Sequence, residues 1–269
     1  MSGSLPIRTV EKPWGRDVLP APFTALPGKR IGEIWFEPPP ELPSLLVKYI
    51  FTSEKLSVQV HPDDAQALAS GDGANGKEEC WLVIDAEPGA TLGVGFREAL
   101  SPAQIRAAAL DGTIEDLLDW HPVETGDFFY IPANTVHAIG AGISLIEVQQ
   151  NADITYRLYD YGRPRELHLD AGVAVAKGEP HDPALRFTVP EGGTVKLAEG
   201  RYFTLHRLDG EPDAALRAAY AGPLLVVPRR GAVRIGATTL EPGSCGWAAG
   251  IAEVAFAREG QCLIAQPAL

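Results

Sequence analysis

Residues 56–64 read LSVQVHPDD, and their side chains alternate between apolar and polar. Because successive side chains of a β-strand point to opposite faces, the apolar residues at positions 56, 58 and 60 are predicted to share one face. The other face then presents Ser57, Gln59 and His61 in a row, and Pro62 ends the strand. Such a polar row is typical either of a solvent-facing strand or of a site whose groups find partners.

Short apolar runs bounded by turn residues recur along the chain and predict further strands. Residues 44–51 (SLLVKYIF) are nearly all apolar, which indicates a strand buried on both faces. Its one cation, Lys48, either reaches out to solvent near a strand end or projects into a cavity, since a buried lysine needs a partner. Strands are also predicted over residues 77–85, 127–131 and 144–150.

Residues 101–120 depart from this β pattern. Ser101 is predicted to cap a helix that has Pro102 at its first position, and Asp111-Gly112 would end that helix. Thr113 is predicted to cap a second, shorter helix over residues 114–118. We therefore expect a small helical insertion near residues 101–120 in an otherwise β-rich chain.

The chain repeats its strand-and-turn pattern in weaker form from about residue 176. Short strands separated by turns are typical of barrels and sandwiches, and two rounds of the pattern predict two barrels. We expect a catalytic domain over residues 1–175, which includes an N-terminal extension and the helical insertion. Residues 176–269 lack a Gln-x-His pair, so they are expected to form a degenerate, metal-free second domain that serves structure.

Composition limits the classes of partner. The formal net charge is −12 and no basic tract interrupts it, which argues against nucleic acid and anionic membranes. An anionic small substrate would need a local basic pocket. Cys80, Cys245 and Cys262 lack CxxC spacing and are interpreted as reduced thiols. With no signal-peptide core and no apolar run of membrane length, we expect a cytoplasmic protein that is a monomer or a weak homodimer.

Four polar residues from three predicted strand segments suggest a metal site: Gln59, His61, Glu79 and His137. Two imidazoles and a carboxylate complete three positions of a catalytic zinc site and leave room for water or substrate. Gln59 would add a weaker oxygen ligand, and it points the same way as His61 because the two lie two residues apart. Histidines on strands are also common as core residues. Strand parity does not choose between Glu79 and the adjacent Glu78.

Longer motifs give a more specific indication. The spacing of Gly126, Pro132 and His137 resembles the second cupin motif, with Asn134 in place of its usual glycine. More specifically, the chain resembles type I phosphomannose isomerase (mannose-6-phosphate isomerase) in its short bacterial form. The matching segments span about residues 11–165 and read KPWG, LSVQVHPDD, GKEECWLVIDAEPGA, IPANTVH and EVQQNADITYRLYDYGR.

The resemblance implies a mainly β fold of two cupin (jelly-roll) barrels and a set of site residues. One zinc ion per chain would lie in the N-terminal cupin, and the family's spacing selects Glu79 over Glu78. The zinc ligands implied are Gln59, His61, Glu79 and His137. The remaining site residues implied are Arg157, Lys77 and Asp153 for catalysis and Lys48 and Ser57 for substrate binding.

The activity implied is the interconversion of mannose 6-phosphate and fructose 6-phosphate through an enediol. Arg157 would stabilise the developing enediolate charge. Lys48 and Lys77, with Ser57, would hold either the phosphate or the sugar chain. Three candidates for the proton-transfer base stay open: Asp153, Lys77 and a metal-bound hydroxide. A structural salt bridge between Asp153 and Arg157 is the simpler alternative for that pair.

Rival interpretations come from the same superfamily. An iron dioxygenase usually places two histidines and a glutamate within a few residues, whereas here Glu79 follows His61 by eighteen residues. A non-catalytic sugar-phosphate-binding or regulatory cupin, or an isomerase of another sugar phosphate, stays an alternative to the mannose-6-phosphate isomerase.

Overall fold

The computed structural model describes residues 2–268, and strands joined by short turns make up most of the ordered backbone. Its helices are α1 (Asp64–Ser70), α2 (Pro102–Asp111), α3 (Ile114–Leu117), α4 (Leu169–Val175) and α5 (Ala214–Ala219), with 3-10 turns at Pro183–Leu185 and Ile251–Glu253. Its strands are β1 (Gly3–Ser4), β2 (Ile7–Arg16), β3 (Ile31–Phe36), β4 (Leu45–Phe51), β5 (Val58–Val60), β6 (Glu79–Ala86), β7 (Thr91–Phe96), β8 (Leu118–Pro122), β9 (Asp127–Ile131), β10 (His137–Ile139), β11 (Ile143–Gln150), β12 (Tyr156–Tyr159), β13 (Arg186–Thr188), β14 (Val195–Glu199), β15 (Phe203–Asp209), β16 (Leu224–Arg230), β17 (Val233–Ile235), β18 (Thr238–Leu240), β19 (Gly246–Ala248), β20 (Val254–Ala255) and β21 (Gln261–Pro267).

The strands form four sheets. A seven-stranded sheet has the order β13-β9-β6-β11-β4-β3-β2, and a five-stranded sheet has the order β12-β5-β10-β7-β8. In the C-terminal half, a six-stranded sheet has the order β1-β19-β16-β21-β15-β14 and a three-stranded sheet has the order β18-β17-β20. This arrangement confirms the prediction of a mainly β fold with few helices.

Strand β4, in the middle part of the seven-stranded sheet, is buried on both faces, as its apolar run predicts. Val47 and Tyr49 pack with Leu205 and Leu225 of the six-stranded sheet. Ile50, on the other face of β4, packs in the core cluster between the seven- and five-stranded sheets. Because the two faces alternate along the strand, Lys48 points into the space between those two sheets.

The outer face of the five-stranded sheet is covered by helices. Val58 and Val60 pack with Ile105 of α2 and Val173 of α4. The prediction that Leu56 shares their face is wrong, because β5 begins only at Val58 and Leu56 belongs to the core cluster between the two sheets. Alternation holds only where the backbone is extended and paired, and residue 56 precedes that segment.

The helical insertion lies where it was predicted, with one correction. Ser101 caps α2 in a capping box with Gln104, and Gly112 ends it in the left-handed conformation. Thr113 does not cap α3, because its backbone is already helical and its hydroxyl donates to Asp111 instead. Three helices were not predicted from the sequence: α1, α4 and α5. Within residues 2–268, no helix combines the length and the apolar content that crossing a bilayer requires.

The two halves of the chain exchange strands. β1, at the N-terminus, pairs with β19 of the C-terminal sheet, and β13 pairs with β9 of the seven-stranded sheet. The six- and three-stranded sheets enclose a separate apolar cluster that includes Leu224, Val226 and Ile235. The division into barrels at residue 175 stays a prediction.

Candidate active site

A row of polar and aromatic side chains crosses the seven-stranded sheet on its inner face. Trp35 pairs in register with Lys48, Lys48 with Glu147, and Glu147 with Trp81. The Lys48 ammonium lies 3.3 Å from Glu147 Oε1 and 4.2 Å from the centre of the Trp35 ring. Trp81 Nε1 donates to Glu147 Oε2 at 3.0 Å. The buried charges of Lys48 and Glu147 thus find their partners on neighbouring strands.

Two histidines of the five-stranded sheet face one glutamate of the seven-stranded sheet. His61 Nε2 lies 3.6 Å from Glu79 Oε2, and His137 Nε2 lies 3.5 Å from Glu79 Oε1. The candidate ligand atoms of the three residues all lie within 4.8 Å of one another. Ligands about 2.0–2.1 Å from a tetrahedral ion are separated by roughly 3.3–3.4 Å, so the two histidine–glutamate distances are already close to the spacing that coordination requires.

A tight turn brings the two histidines together. Asn134 adopts a positive φ of 74°, a conformation that asparagine tolerates better than most residues, which explains why it replaces glycine in the motif. The Asn134 N–H donates to the His61 carbonyl at 2.8 Å, which ties this turn to the end of β5. His137 then pairs in register with Gln59 at the start of β10. The predicted convergence of Gln59, His61 and His137 is therefore present.

Both imidazoles carry their proton on the ring nitrogen that faces away from Glu79. His61 Nδ1 lies 2.7 Å from the Ile154 carbonyl, and His137 Nδ1 lies 2.9 Å from the Thr135 carbonyl. A carbonyl only accepts, so each Nδ1 donates and each Nε2 presents a lone pair. A backbone carbonyl bound to the outer ring nitrogen is the usual support of a metal-ligating histidine.

Glu79 rather than Glu78 belongs to this centre. Cys80 and Leu82 face the six-stranded sheet, and Glu79 and Trp81 therefore face inward, a distinction that the sequence alone did not provide. The carboxylate of Glu78 instead accepts a short hydrogen bond from the Tyr130 hydroxyl. Neither oxygen of the fully buried Glu79 accepts a well-aligned hydrogen bond, although Lys77 Nζ lies 2.6 Å from Oε2.

Gln59 contacts the centre through its side-chain amide. Its Nε2 lies 3.3 Å from His137 Nε2, and its Oε1 accepts from the Ser57 hydroxyl at 3.1 Å. Rotating the amide by 180° exchanges the two ends, which would turn the oxygen toward His137 and let Ser57 accept. The oxygen of Gln59 thus reaches the other candidate ligands only after this rotation, and Ser57 is placed to hold the amide in either orientation.

Burial and charge keep the histidines neutral. Burial lowers the pKa of His137 to about 4 and the pKa of His61 well below its usual range, with the Lys77 ammonium lowering the latter further. Burial, with the nearby Glu147 carboxylate, raises the pKa of Glu79. Burial would also raise the pKa of Glu147, but the ammonium groups of Lys77 and Lys48 outweigh it and lower that pKa. Two neutral imidazoles and a carboxylate without aligned donors are a donor set that fits a divalent metal ion.

A cavity of about 330 Å³ adjoins this centre. Gln59 and Lys77, which contact the two histidines, form part of its lining. The basic side chains of the lining outnumber the acidic ones, in a chain whose net charge is −12. This is the local basic pocket that an anionic substrate requires. Its basic residues are Lys12, Lys48, Lys77, Arg157 and Arg165, and its acidic residues are Glu33, Glu147 and Asp153.

The predicted catalytic and substrate-binding residues all reach this cavity. Arg157 pairs in register with Gln59, which contacts His137, so Arg157 lies beside the cluster of His61, Glu79 and His137. Asp153 lines the cavity from an exposed position, and it lies within salt-bridge distance of neither Arg157 nor any other basic residue of the described chain. Ser57 and Lys48 are buried in its wall.

The sequence did not identify several polar residues of this site. Glu147 and Glu33 are single acids within the apolar strands ISLIEVQQ and IGEIWF, the same signal that made Lys48 conspicuous. Trp35 donates from Nε1 to Glu33 at 2.7 Å. Arg165 and His168 lie beyond the last strand of the five-stranded sheet, in a segment without strand periodicity, and no sequence pattern points to them.

Comparisons with known proteins agree with the resemblance that the motifs indicate. The chain is 41% identical over 171 residues to a mannose-6-phosphate isomerase of Streptococcus mutans, a match that covers 61% of this chain and 54% of that protein. It is 39% identical over 184 residues to mannose-6-phosphate isomerase ManA of Bacillus subtilis, covering 64% of this chain and 58% of the relative. The matches span little more than half of these relatives' length. No family model matches the chain.

Solved structures extend the likeness to the whole fold. A crystal structure of mannose 6-phosphate isomerase from Bacillus subtilis superposes with a TM-score of 0.78 at 24% identity, covering 98% of this chain and 99% of that one. A zinc-bound mannose 6-phosphate isomerase gives a TM-score of 0.72 at 16% identity, with both chains covered completely. The fold is therefore that of these solved mannose 6-phosphate isomerases, and the predicted resemblance is confirmed.

Proposed function

We propose that this chain is a metal-dependent aldose–ketose isomerase that interconverts mannose 6-phosphate and fructose 6-phosphate. The observation that carries the proposal is the position of the buried His61, Glu79 and His137 beside a basic cavity large enough for a sugar phosphate. The similarity to mannose-6-phosphate isomerases supports the choice of substrate and reaction.

The metal we propose is one zinc ion per chain, held by His61, Glu79 and His137 with Gln59 as a fourth ligand. Two imidazoles and one carboxylate form a donor set that zinc commonly takes in catalytic sites, and Glu79 Oε1 has no hydrogen-bond donor among the described residues. When bound, the ion supplies a Lewis acid that polarises the substrate's oxygens and stabilises negative charge on them. The rotated amide of Gln59, fixed by Ser57, would place its oxygen toward the ion.

The chain's own residues orient the sugar and move its protons. Arg157 pairs in register with Gln59 and lines the cavity. Its guanidinium can therefore stabilise the negative charge that develops on the enediolate. The base that moves a proton between C1 and C2 is Asp153 or Lys77. The carboxylates of Glu79 and Glu147 hold the Lys77 ammonium charged in the free protein, which favours Asp153 as the acceptor.

Lys48 and Ser57 complete the substrate-binding wall. Because Lys48 is held by Glu147 and Trp35, its ammonium occupies a fixed position from which it can donate to a sugar hydroxyl. We further propose that residues 1–175 form the catalytic domain and residues 176–269 a supporting, metal-free second cupin. We also propose that the protein works in the cytoplasm as a monomer or weak homodimer.

The test is an isomerase assay with mannose 6-phosphate on the purified protein, with fructose 6-phosphate as the product measured. We expect turnover that is specific for mannose 6-phosphate over glucose 6-phosphate. Turnover of a different sugar phosphate would keep the reaction class and change the substrate. Binding of mannose 6-phosphate without turnover, by metal-loaded protein, would favour a regulatory cupin instead.

A further inference from the structure

Residues 157–168 form a loop whose two ends are hydrogen-bonded to each other, and this loop forms one wall of the cavity. The His168 N–H donates to the Arg157 carbonyl at 2.8 Å, and the Arg157 N–H donates back to His168 Nδ1 at 3.2 Å. Arg157 Nη1 also donates to the Glu166 carbonyl at 3.2 Å. These three bonds join the two ends of the segment, so the side chains of Arg157 and His168 are held close together.

The bond to His168 fixes the tautomer of its ring. A backbone N–H can only donate, so His168 Nδ1 must carry a lone pair and the neutral ring must carry its hydrogen on Nε2. No protein group within residues 2–268 accepts a hydrogen bond from this Nε2. Because His168 lines the cavity, its free ring atom is a neutral hydrogen-bond donor available to a ligand there.

Arg165, which lines the same cavity as His168, is held in place by a buried carboxylate. Arg165 Nε and Nη2 donate to the two oxygens of Asp160, each at 2.6 Å, and Asp160 is only 2% exposed. This bidentate pair uses one edge of the guanidinium and leaves Nη1 free. Asp160 also accepts from Arg163, whose charge is balanced in addition by Glu54.

The segment keeps an excess of positive charge at the cavity. Asp160 and Glu54 together balance Arg163 and Arg165, whereas among the described residues no carboxylate lies within ion-pair distance of the Arg157 guanidinium. Lys48, by contrast, is already paired with Glu147 and stacked on Trp35. A dianionic group would therefore be favoured at the 157–168 wall over the Lys48 wall.

We propose that Arg165 and His168 bind the phosphoryl group of the substrate, at the end of the cavity away from the metal centre. This assignment rests on the proposed function and extends it to the orientation of the sugar. Arg157 pairs with Gln59 and lies between the two ends, so C1 and C2 lie toward the metal centre and C6 toward His168. Lys48 then binds the sugar chain. His168 and Arg165 are specificity residues, which distinguish a sugar phosphate from a free sugar.

Two substitutions of His168 separate its two ring nitrogens. In His168→Asn the side-chain oxygen can replace Nδ1 and keep the bond from the Arg157 N–H, but no donor remains in the position of Nε2. In His168→Gln the amide N–H can replace the Nε2 donor, while the acceptor for Arg157 is lost. A purely structural role would make His168→Gln the more damaging change, whereas phosphate binding would make His168→Asn the more damaging.

The measurements are steady-state kinetics with mannose 6-phosphate and competitive inhibition by inorganic phosphate, each on metal-loaded protein. In His168→Asn we expect the KM for mannose 6-phosphate and the Ki for inorganic phosphate to rise together, by roughly ten- to a hundredfold, since one hydrogen bond to a charged group is lost. The change in kcat should be much smaller. Arg165→Met should raise both constants at least as far, and His168→Gln should raise them less than His168→Asn.

Calorimetric binding of inorganic phosphate separates this proposal from the proposed activity, because it requires no turnover. Arg217→Met, an exposed arginine paired with Glu211 in the C-terminal half, is the matched control and should bind phosphate like the wild type. If the wild type does not isomerise but loses phosphate binding on His168→Asn and Arg165→Met, the anion site stands and the isomerase proposal fails. If the wild type isomerises and both variants keep the wild-type KM and Ki, the anion site is wrong.

Discussion

Removing the charge of Glu147 tests the buried ion-pair row that supports the cavity. In Glu147→Gln the shape is nearly kept, and the new amide oxygen can still accept from Trp81 Nε1. The change leaves Lys48, which is 4% exposed, with the Trp35 ring as its remaining partner among the contacts described, whereas Lys77 keeps Glu79. Leaving one buried charge without its partner costs roughly 3–5 kcal/mol, and the Trp35 contact favours the lower end of that range.

The expected shift in melting temperature follows from the size of the chain. An unfolding entropy of about 2.1 cal/mol/K per residue gives about 0.56 kcal/mol/K for the whole protein, so a loss of about 3 kcal/mol lowers Tm by about 5 °C. The assay is thermal unfolding followed by circular dichroism at pH 7, with wild type and variant both metal-depleted so that metal binding does not contribute. Glu54→Gln is the control, because that exposed carboxylate pairs only at the surface and its loss should change Tm by less than about 1 °C.

A double-mutant cycle measures the coupling between Lys48 and Glu147 directly. Lys48→Met removes the ammonium that Glu147 compensates, so Lys48→Met combined with Glu147→Gln should be less destabilising than the sum of the single changes, by about 1 kcal/mol or more. A melting temperature of Glu147→Gln within about 1 °C of wild type, or additive effects of the two changes, would mean that the pair is not coupled in the folded protein.

Three further predictions concern the metal centre and the reaction. Glu79→Gln should retain little bound metal, whereas Glu78→Gln should retain the wild-type amount. Elemental analysis of the dialysed proteins measures the bound metal, and the reverse order would contradict the assigned strand register. Arg157→Ala should lower kcat by about a hundredfold or more with metal still bound, and Arg157→Lys should restore little of that kcat. An unchanged kcat in steady-state kinetics would mean that Arg157 only binds substrate. Ser57→Ala should weaken metal affinity by roughly tenfold, because Gln59 loses the hydroxyl that fixes its amide. An unchanged affinity in a metal-competition titration would contradict this role of Ser57.

Local sequence signals located the candidate ligands well, because strand alternation and motif spacing act within a few residues. Ser57, Gln59 and His61 reach the site as their spacing indicates, although Leu56 does not follow the same alternation. Strand alternation does not choose between Glu78 and Glu79. The packing of whole sheets decides which face of β6 meets the five-stranded sheet. The family's spacing selected Glu79, and the packing places Glu79 inward.

The partners of the buried charges could not be found from the sequence, because they depend on strand register. Glu147 and Lys48 are each a lone charge in an apolar strand, and only the pairing of β11 with β4 makes them partners. For His168 the decisive fact is the tautomer, which is set by a bond to a residue eleven positions away. The helix α1, in contrast, carries a capping box at Asp63 and Gln66, which is a local signal that the sequence itself contains.

Measuring metal content and turnover together tests whether the isomerase activity depends on the metal. Wild-type protein is depleted of metal with a chelator, assayed for conversion of mannose 6-phosphate to fructose 6-phosphate, and titrated with Zn²⁺ while activity is followed. We expect activity near zero in the depleted protein and a linear recovery that reaches its plateau at about one zinc ion per chain, the occupancy expected of the centre that His61, Glu79 and His137 form. Full activity in protein shown by elemental analysis to be free of metal would contradict the account.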